Sequence, residues 1–500
     1  MSFYSFYRKG LDLEPIEIEV TLLPGVPAFH VTGLPDVATK ESVMRIKAAL
    51  RHQGFQLPKR DQVLFNLRPN HERKTSQGLD LAMAAAYLWE TSQIPEFAGC
   101  VQHSSFGTVK DSRLFLYGEL ALDGQVTMPD DLDLLESMRP NDYLVTGEGD
   151  CALARGVVRD LRSLQSIEWR EGQFNPPDLE VDRQFDHLSF CRSAADILAI
   201  IAAGEHNLFI AGPAGSGKTT FARILHTCLR VPTDSEWRRI EKIEKIAGRT
   251  VSSATNNCER LLKSRSRPFV SPHHSASEIA ILGGGVPACA GEITRAQHGV
   301  LLLDEFLEFE PSVVESLREP IERHEITLLR KGVKVTFPAD FLLVATTNLC
   351  PCGDFVPGEV RKCSYSQTRC RSFYQKLTGP LLDRFEAVCF TQQWTHQQDE
   401  DVAQVRERVR EAQCFARKTR GQTIMNSRLE LEALEAMVPP FVMNNMLPEI
   451  PPSRRRRLAL LRVARTIADL DSSPDICTEH LHAAGQLTLR PFHEFRHAFI

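Results

Sequence analysis

The sequence predicts an α/β protein built round a mostly parallel sheet, with an α+β domain before it and a helical region after it. Three observations predict this. Between residues 186 and 395, apolar strand-like runs alternate with helical ones, the order that builds a parallel sheet. A glycine-rich turn, Gly212 to Thr219, joins one such run to a helix, and another run ends in the paired carboxylates Asp304 and Glu305. From about Trp394 onward the periodicity is helical.

The elements are justified in chain order. Residues 1–167 form the first domain, where the runs IEIEVTLL, AFHVTGL, QVLFNL and RLFLYGELAL read as strands, and KESVMRIKAALRHQGF and GLDLAMAAAYLWE as helices. Residues 168–185 are polar, carry a proline pair and lack a sustained period, so they read as a linker. Residues 186–395 supply the parallel-sheet core: NLFIAG, a helix from Lys218, VLLLDE, a helix from Pro311, DFLLVATTN and AVCF. Residues 396–500 read as helices, with DVAQVRERVREAQCFARK, LELEALEAMVPPF and RRLALLRVARTIADL as the long ones.

Composition bounds the function. A 500-residue chain exceeds a single core, and 42% apolar content is ample to fill several. No run approaches the roughly 20 apolar residues that span a bilayer, and MSFYSFYRKG has no apolar stretch behind its charges, so a cytoplasmic protein without membrane contact is expected. Thirteen scattered cysteines, an odd number, point to a reducing compartment rather than a disulfide framework. A net charge of -5 leaves any nucleic-acid contact to a local basic surface.

The run Gly212-Pro213-Ala214-Gly215-Ser216-Gly217-Lys218-Thr219 has the spacing G-x-x-x-x-G-K-T between an apolar strand and a helix. Glycines at 215 and 217 let successive backbone N–H groups face a phosphate, and the helix start adds its positive dipole end. Lys218 supplies a point charge to the outer phosphates of ATP, and the Thr219 hydroxyl sits on Mg2+. In GVLLLDEF a buried strand carries Asp304 to the sheet edge as a second magnesium ligand, and Glu305 polarises the attacking water. Asn348, at the end of DFLLVATTN, offers an uncharged amide to orient that water.

Three further features stand out. ITLLRKGVKVTF reads as a β-hairpin turning at Lys331-Gly332, with Arg330, Lys331 and Lys334 near its tip; the alternatives are a DNA-contacting element and a charged edge kept soluble by lysine. His273 and His274 precede a three-glycine run, and adjacent histidines point apart on most backbones, so no metal pair is read there. Cys350, Cys352, Cys363 and Cys370 fall in one loop-rich stretch, where four thiolates can close a tetrahedral Zn2+ site or remain reduced thiols.

These residues together resemble a known family. RPFVSPHHSASEIAILGGG, GEITRAQHGVLLLDEF, LREPIERHEITLLRKG, TTNLCPCG, LTGPLLDRFE and VARTIADL are similar to segments of the magnesium-chelatase-like AAA+ ATPases of the ComM (YifB) type, and LPGVPAFHVTGLPDVATKESVMRIKAALRHQGF extends the likeness to the first domain. The resemblance implies an AAA+ core in a homohexameric ring with ATP sites between subunits, a helical lid, and a Lon-protease-like first domain. It implies an arginine finger at Arg384, reaching a neighbour's site, and a second sensor at Arg455, touching the γ-phosphate of its own chain. It also implies that the hairpin faces the ring's pore and that the loop after His274 moves with the nucleotide. Relatives carry C-x-C at both ends of the cysteine stretch, whereas Tyr365 here interrupts the second pair.

A serine-lysine peptidase needs a nucleophile beside a base. Ser76 is the nearest serine and no lysine follows in QVTMPDDLDLLE, so the first domain is read as peptidase-inactive. What the resemblance implies overall is an ATP-driven translocase or branch-migration helicase on DNA, binding without sequence preference. A chelatase ATPase subunit and a protein-remodelling ATPase are the alternatives.

Overall fold

In a computed structural model the chain divides into two compact units, Met1–Pro176 and Pro177–Ile500. The structure describes residues 3–9, 12–33, 37–69, 78–94, 113–135, 138, 142–149, 153–169, 183–250, 266–285, 289–330, 333–350, 366, 369, 382–394, 400–442 and 453–490. Ser76, Lys331, Cys352, Cys363 and Cys370 lie outside them.

The first unit holds β1 (Phe3–Lys9), β2 (Asp12–Pro24), β3 (Ala28–Thr32), β4 (Asp61–Arg68), β5 (Leu114–Leu116), β6 (Glu119–Leu120), β7 (Val126–Thr127), β8 (Tyr143–Thr146), β9 (Ala154–Val157) and β10 (Glu168–Trp169). Its main sheet runs β10-β9-β8-β5-β1-β2-β4-β3. The helix Leu79–Glu90 is apolar round most of its circumference and is buried from Leu79 to Leu88, its buried Asp80 being paired with Arg45 at 2.7 Å. It shares a core with Ile16, Ile18, Val63, Phe65 and Leu67.

One strand goes unanticipated and one expectation is corrected. Phe3–Lys9, for which no element was expected, form the interior strand β1, whose Phe3, Phe6 and Tyr7 are buried. Aromatic residues interleaved with serine and arginine carry the strand without an aliphatic run. RLFLYGELAL is also not one strand: it breaks into β5 and β6, and β6 pairs with β7 outside the main sheet. Gly118 stands at the break, where an added Cβ would lie 2.8 Å from Val126 Cγ1.

The second unit holds β11 (Ser189–Phe190), β12 (Leu208–Ala211), β13 (Phe269–Val270), β14 (Gly283–Gly284), β15 (Cys289–Ala290), β16 (Val300–Leu303), β17 (Glu325–Arg330), β18 (Val333–Pro338), β19 (Leu342–Thr347), β20 (Ala387–Phe390) and β21 (Glu400–Asp401). Its central sheet is parallel throughout, in the order β13-β16-β19-β12-β20. Successive strand side chains point to opposite faces, so the strands feed two cores. Leu208, Ile210, Leu302 and Val344 pack on one side with the helices Arg192–Gly204 and Lys218–Cys228. Phe209, Ala211, Leu303 and Ala345 pack on the other with Phe306 and Phe385. Burial on both faces explains the unbroken apolar runs.

The C-terminal helices are Val402–Arg420, Leu431–Glu435, Arg454–Leu470 and Thr478–Thr488. The first opens on a capping box between Asp401 and Gln404 and ends at Gly421, which sits at φ +60°. LELEALEAMVPPF, expected as a long helix, keeps helical form only over Leu431–Glu435 before its proline pair. A two-residue strand, β21, also interrupts the helical stretch and pairs with β11.

Buried polar side chains join the C-terminal helices to the sheet. His206 Nδ1 lies 2.8 Å from Glu386 Oε2 and its Nε2 lies 2.7 Å from Thr466 Oγ1, while Arg462 donates to Glu386 Oε1 at 2.9 Å. Burial pushes the Glu386 carboxyl up, but His206 and Arg462 outweigh it and hold the group at about 2.

Candidate nucleotide-binding site

Parallel strands in register end together. Ala211 pairs with both Thr347 and Phe390, and Leu303 pairs with Ala345. Gly212, Asp304, Asn348 and Thr391 therefore leave the sheet at one edge, the carboxyl edge where open α/β sheets bind ligands.

The turn after β12 has the conformation its glycines permit. Gly215 and Gly217 sit at φ +76° and +83°, and an added Cβ on either would meet nothing within 4 Å. Gly212 serves a different need, close packing, because a Cβ there would lie 1.9 Å from Thr391 Oγ1. Ser216 Oγ donates to Pro213 O at 2.9 Å and tightens the turn, while Ala214 is exposed. Gly217 begins the helix Lys218–Cys228.

Lys218 and Thr219 meet the acidic strand end. Lys218 Nζ donates to Gly212 O at 3.0 Å, Pro213 O at 2.7 Å and Asn348 Oδ1 at 3.0 Å. Burial lowers the pKa of its ammonium, against the opposing pull of Asp304 and Glu305. Thr219 Oγ1 donates to Asp304 Oδ2 at 2.9 Å, and Thr346 donates to Asp304 Oδ1. Five of the expected groups thus converge: the loop, Lys218, Thr219, Asp304 and Asn348.

Glu305 is held differently. Its backbone lies in the left-handed region at φ +54°, a conformation that costs a non-glycine residue on the order of 1 kcal/mol and gathers at functional sites. Its side chain is exposed, with His274 Nδ1 lying 3.3 Å from Oε2. The His273 and His274 rings stand 4.1 Å apart, so the expectation that the two diverge is corrected. Pairing with Ser275 on one side and Glu305 on the other draws both rings to one side of the loop.

Arg384 and Arg455 converge elsewhere, on Glu322. Arg384 Nη2 donates to its Oε1 at 2.9 Å and Arg455 Nη2 to the same oxygen. Burial lowers the Arg384 pKa, Glu322 raises it, and Arg455 lowers it again. Asp383, the neighbour in sequence, instead lies 3.3 Å from Arg456 Nε.

β17 and β18 form the expected hairpin, with Arg330 opposite Val333 and so a two-residue connection. Lys334 is exposed, as is Leu329 at 70%. Cys350 is buried. Among the described residues no group of three or more histidine, cysteine, aspartate or glutamate side chains is placed to hold a metal, and no helix is long and apolar enough to cross a membrane.

Sequence reasoning missed Thr346 and the contact of His274 with Glu305. Thr346 was legible in part: counting back from Asn348 along a strand parallel to β16 puts it level with Asp304. The histidine contact depends on loop geometry that no spacing reveals.

Known proteins share much of this sequence. Residues 185–399 match the family of magnesium chelatase, subunit ChlI, residues 399–488 match the C-terminal part of that subunit, and residues 18–132 match the family described as subunit ChlI of Mg-chelatase. The chain is similar to the uncharacterized protein YifB of Escherichia coli, 31% identical over 512 residues, covering 95% of this chain and 94% of that protein. It is similar to competence protein ComM of Haemophilus influenzae, 31% identical over 515 residues and 96% of each chain. An uncharacterized protein of Mycobacterium tuberculosis is 33% identical over 403 residues, 77% of this chain and 75% of its own.

Proposed function

This chain belongs to the magnesium-chelatase-like family that includes YifB and ComM, and on that premise we propose that it is an ATP-hydrolysing AAA+ ring motor that moves on DNA. The observation that carries the reading is the meeting of Lys218, Thr219, Asp304 and Asn348 at the open end of a glycine-rich turn. Family membership supports ATP and Mg2+ as the ligands. The residues fit them: the turn is open above Gly215 and Gly217, and a hydroxyl beside a carboxylate is the hard oxygen pair that magnesium takes.

Each residue then has a role. Lys218 binds the outer phosphates, displacing its contacts to Gly212 O and Pro213 O. Thr219 and Asp304 hold the metal, which supplies charge neutralisation to the phosphates. Glu305 accepts the proton of the attacking water, and Asn348 orients that water.

Family membership favours ring assembly. Arg384, delivered from a neighbour, stabilises charge on the transferring phosphoryl group. Arg455 shares Glu322 with Arg384, which favours both arginines serving the same neighbouring site rather than Arg455 serving its own. The hairpin β17-β18, with Arg330, Lys331 and Lys334 at its tip, tracks a phosphate backbone without reading bases. The first unit is read as a Lon-protease-like module without a peptidase dyad, serving structure or partner binding. The scattered cysteines favour the cytoplasm.

That one relative is named a competence protein favours DNA as the partner. The family name favours a second reading, the ATPase subunit of a chelatase. ATPase rates with and without single-stranded, duplex and branched DNA separate the two. The motor reading expects severalfold stimulation by DNA, and a rate indifferent to all three would transfer the chain to the chelatase reading.

A further inference from the structure

Arg384 is carried on a short turn, closed by the Phe385 N–H donating to Leu382 O at 3.0 Å. Where that arginine points depends on what holds the turn. On the inner side Phe385 is 1% exposed, and its ring meets Phe209 at 5.2 Å and Phe306, the residue after Glu305, at 6.0 Å. Apolar burial is non-directional, so these contacts fix the depth of the turn and leave its direction open.

Direction comes from the helix Arg454–Leu470. Arg456, near its start, is 7% exposed and places its guanidinium against the chain on either side of Arg384. Its Nη2 donates to Asp383 O at 2.7 Å and to Phe385 O at 2.8 Å, its Nη1 donates to Thr488 O at 3.4 Å, and its Nε lies 3.3 Å from Asp383 Oδ1. One guanidinium nitrogen thus brackets a single residue with its two hydrogens. Farther along the same helix, Arg462 donates to Glu386 Oε1 at 2.9 Å. A single helix therefore grips Asp383, Phe385 and Glu386 in succession. A planar, rigid fork suits this task, whereas a lysine would bring a point charge on a flexible stem.

We propose that Arg456 is a positioning residue for Arg384, fixing the direction in which the turn Leu382–Phe385 presents that arginine to a neighbouring chain. The inference rests on the reading above that Arg384 serves a neighbour's site. It makes the helix Arg454–Leu470 the part that aims the arginine, so a shift of the helix carries Arg384 with it.

The test is steady-state ATP turnover by the assembled full chain, with ATP binding measured separately, for the unaltered protein, Arg456→Met, Arg456→Lys, Asp383→Asn and Arg384→Ala. Since a misplacement of about 1 Å costs on the order of a hundredfold in rate, Arg456→Met is expected to lower kcat by roughly that factor. KM and ATP affinity stay within about twofold of the unaltered values, because the chain's own phosphate site is untouched. Arg456→Lys, able to reach one carbonyl at a time, recovers about a tenth of the unaltered turnover, and Asp383→Asn, at a carboxylate 38% exposed, loses roughly two- to fivefold. Mixed with Lys218→Ala protein, both Arg456 variants regain turnover, because the partner supplies an intact arginine to their intact loops. A role confined to folding would lower ATP binding and turnover together and would not be repaired by mixing. Turnover of Arg456→Lys and Asp383→Asn equal to that of the unaltered chain, while Arg384→Ala is inactive, would overturn the positioning role, as would a loss that mixing leaves unrepaired. If Arg456→Met does not fold, those two variants decide the matter. Full turnover by Arg384→Ala would instead overturn the reading of Arg384, and the positioning role with it.

Discussion

At the scale of single residues, the site depends on charges brought together in a partly desolvated place. Lys218 is only 9% exposed, and its ammonium is satisfied by two backbone carbonyls and the Asn348 amide. Replacing it leaves those acceptors unmatched and, on the proposed reading, removes the point charge for the phosphates. Lys218→Ala is expected to lose ATP binding by at least tenfold, since a charge-assisted contact contributes about 1.5–3 kcal/mol; a fluorescent ATP analogue measures this. ATP binding equal to that of the unaltered chain would remove Lys218 from the site. Lysine, threonine, aspartate and asparagine were legible in the sequence because their chemistry is tied to strand ends and fixed spacings. Thr391 was not legible, because a lone threonine after a strand carries no signal until the register sets it beside Gly212.

At the scale of elements, the parallel sheet was legible because burial on both faces leaves continuous apolar runs, as in Val300–Leu303 and the Leu342-Leu343-Val344-Ala345 run of β19. The edges were less so. β1 hides its strand character in aromatics, and β5 and β6 share one apolar run that only the crowding at Gly118 divides. The join between sheet and C-terminal helices makes a pH prediction. Glu386 titrates at about 2 in the folded chain, below an unfolded value of about 4.3. Its folded pKa is depressed, so its stabilisation is present above the unfolded value and is lost as pH falls through the folded one. Glu386→Gln should flatten the fall in melting temperature between about pH 4.5 and 2. A variant with an unaltered acid limb would deny this ion pair its part. The hairpin makes a second prediction: Lys331→Ala with Lys334→Ala weakens stimulation of the ATPase by DNA and lowers its dependence on salt. Equal stimulation in the double variant would take the hairpin out of the mechanism.

At the scale of the whole molecule, the account requires that one chain complete its neighbour's site. Arg384 and Arg455 meet on Glu322, while Lys218, Thr219 and Asp304 meet at the sheet edge. Arg384→Ala is expected to bind ATP normally and to lose turnover by on the order of a thousandfold in the assembled ring. Mixing it with Lys218→Ala protein should restore part of the activity, because some interfaces then pair an intact loop with an intact arginine. Full activity of Arg384→Ala, or of a demonstrated monomer, would refute a role across the interface. This level was not derivable from spacing, since no local pattern states which chain an arginine serves; it entered through family resemblance. The most direct measurement of the central claim is Mg-ATP turnover by the purified chain beside Glu305→Gln, with ATP binding followed in parallel. The account predicts magnesium-dependent hydrolysis by the unaltered protein, and a variant that holds ATP with similar affinity yet turns it over at least a hundredfold more slowly. Equal turnover by the two proteins would mean that the acidic end of β16 is not where the chemistry happens.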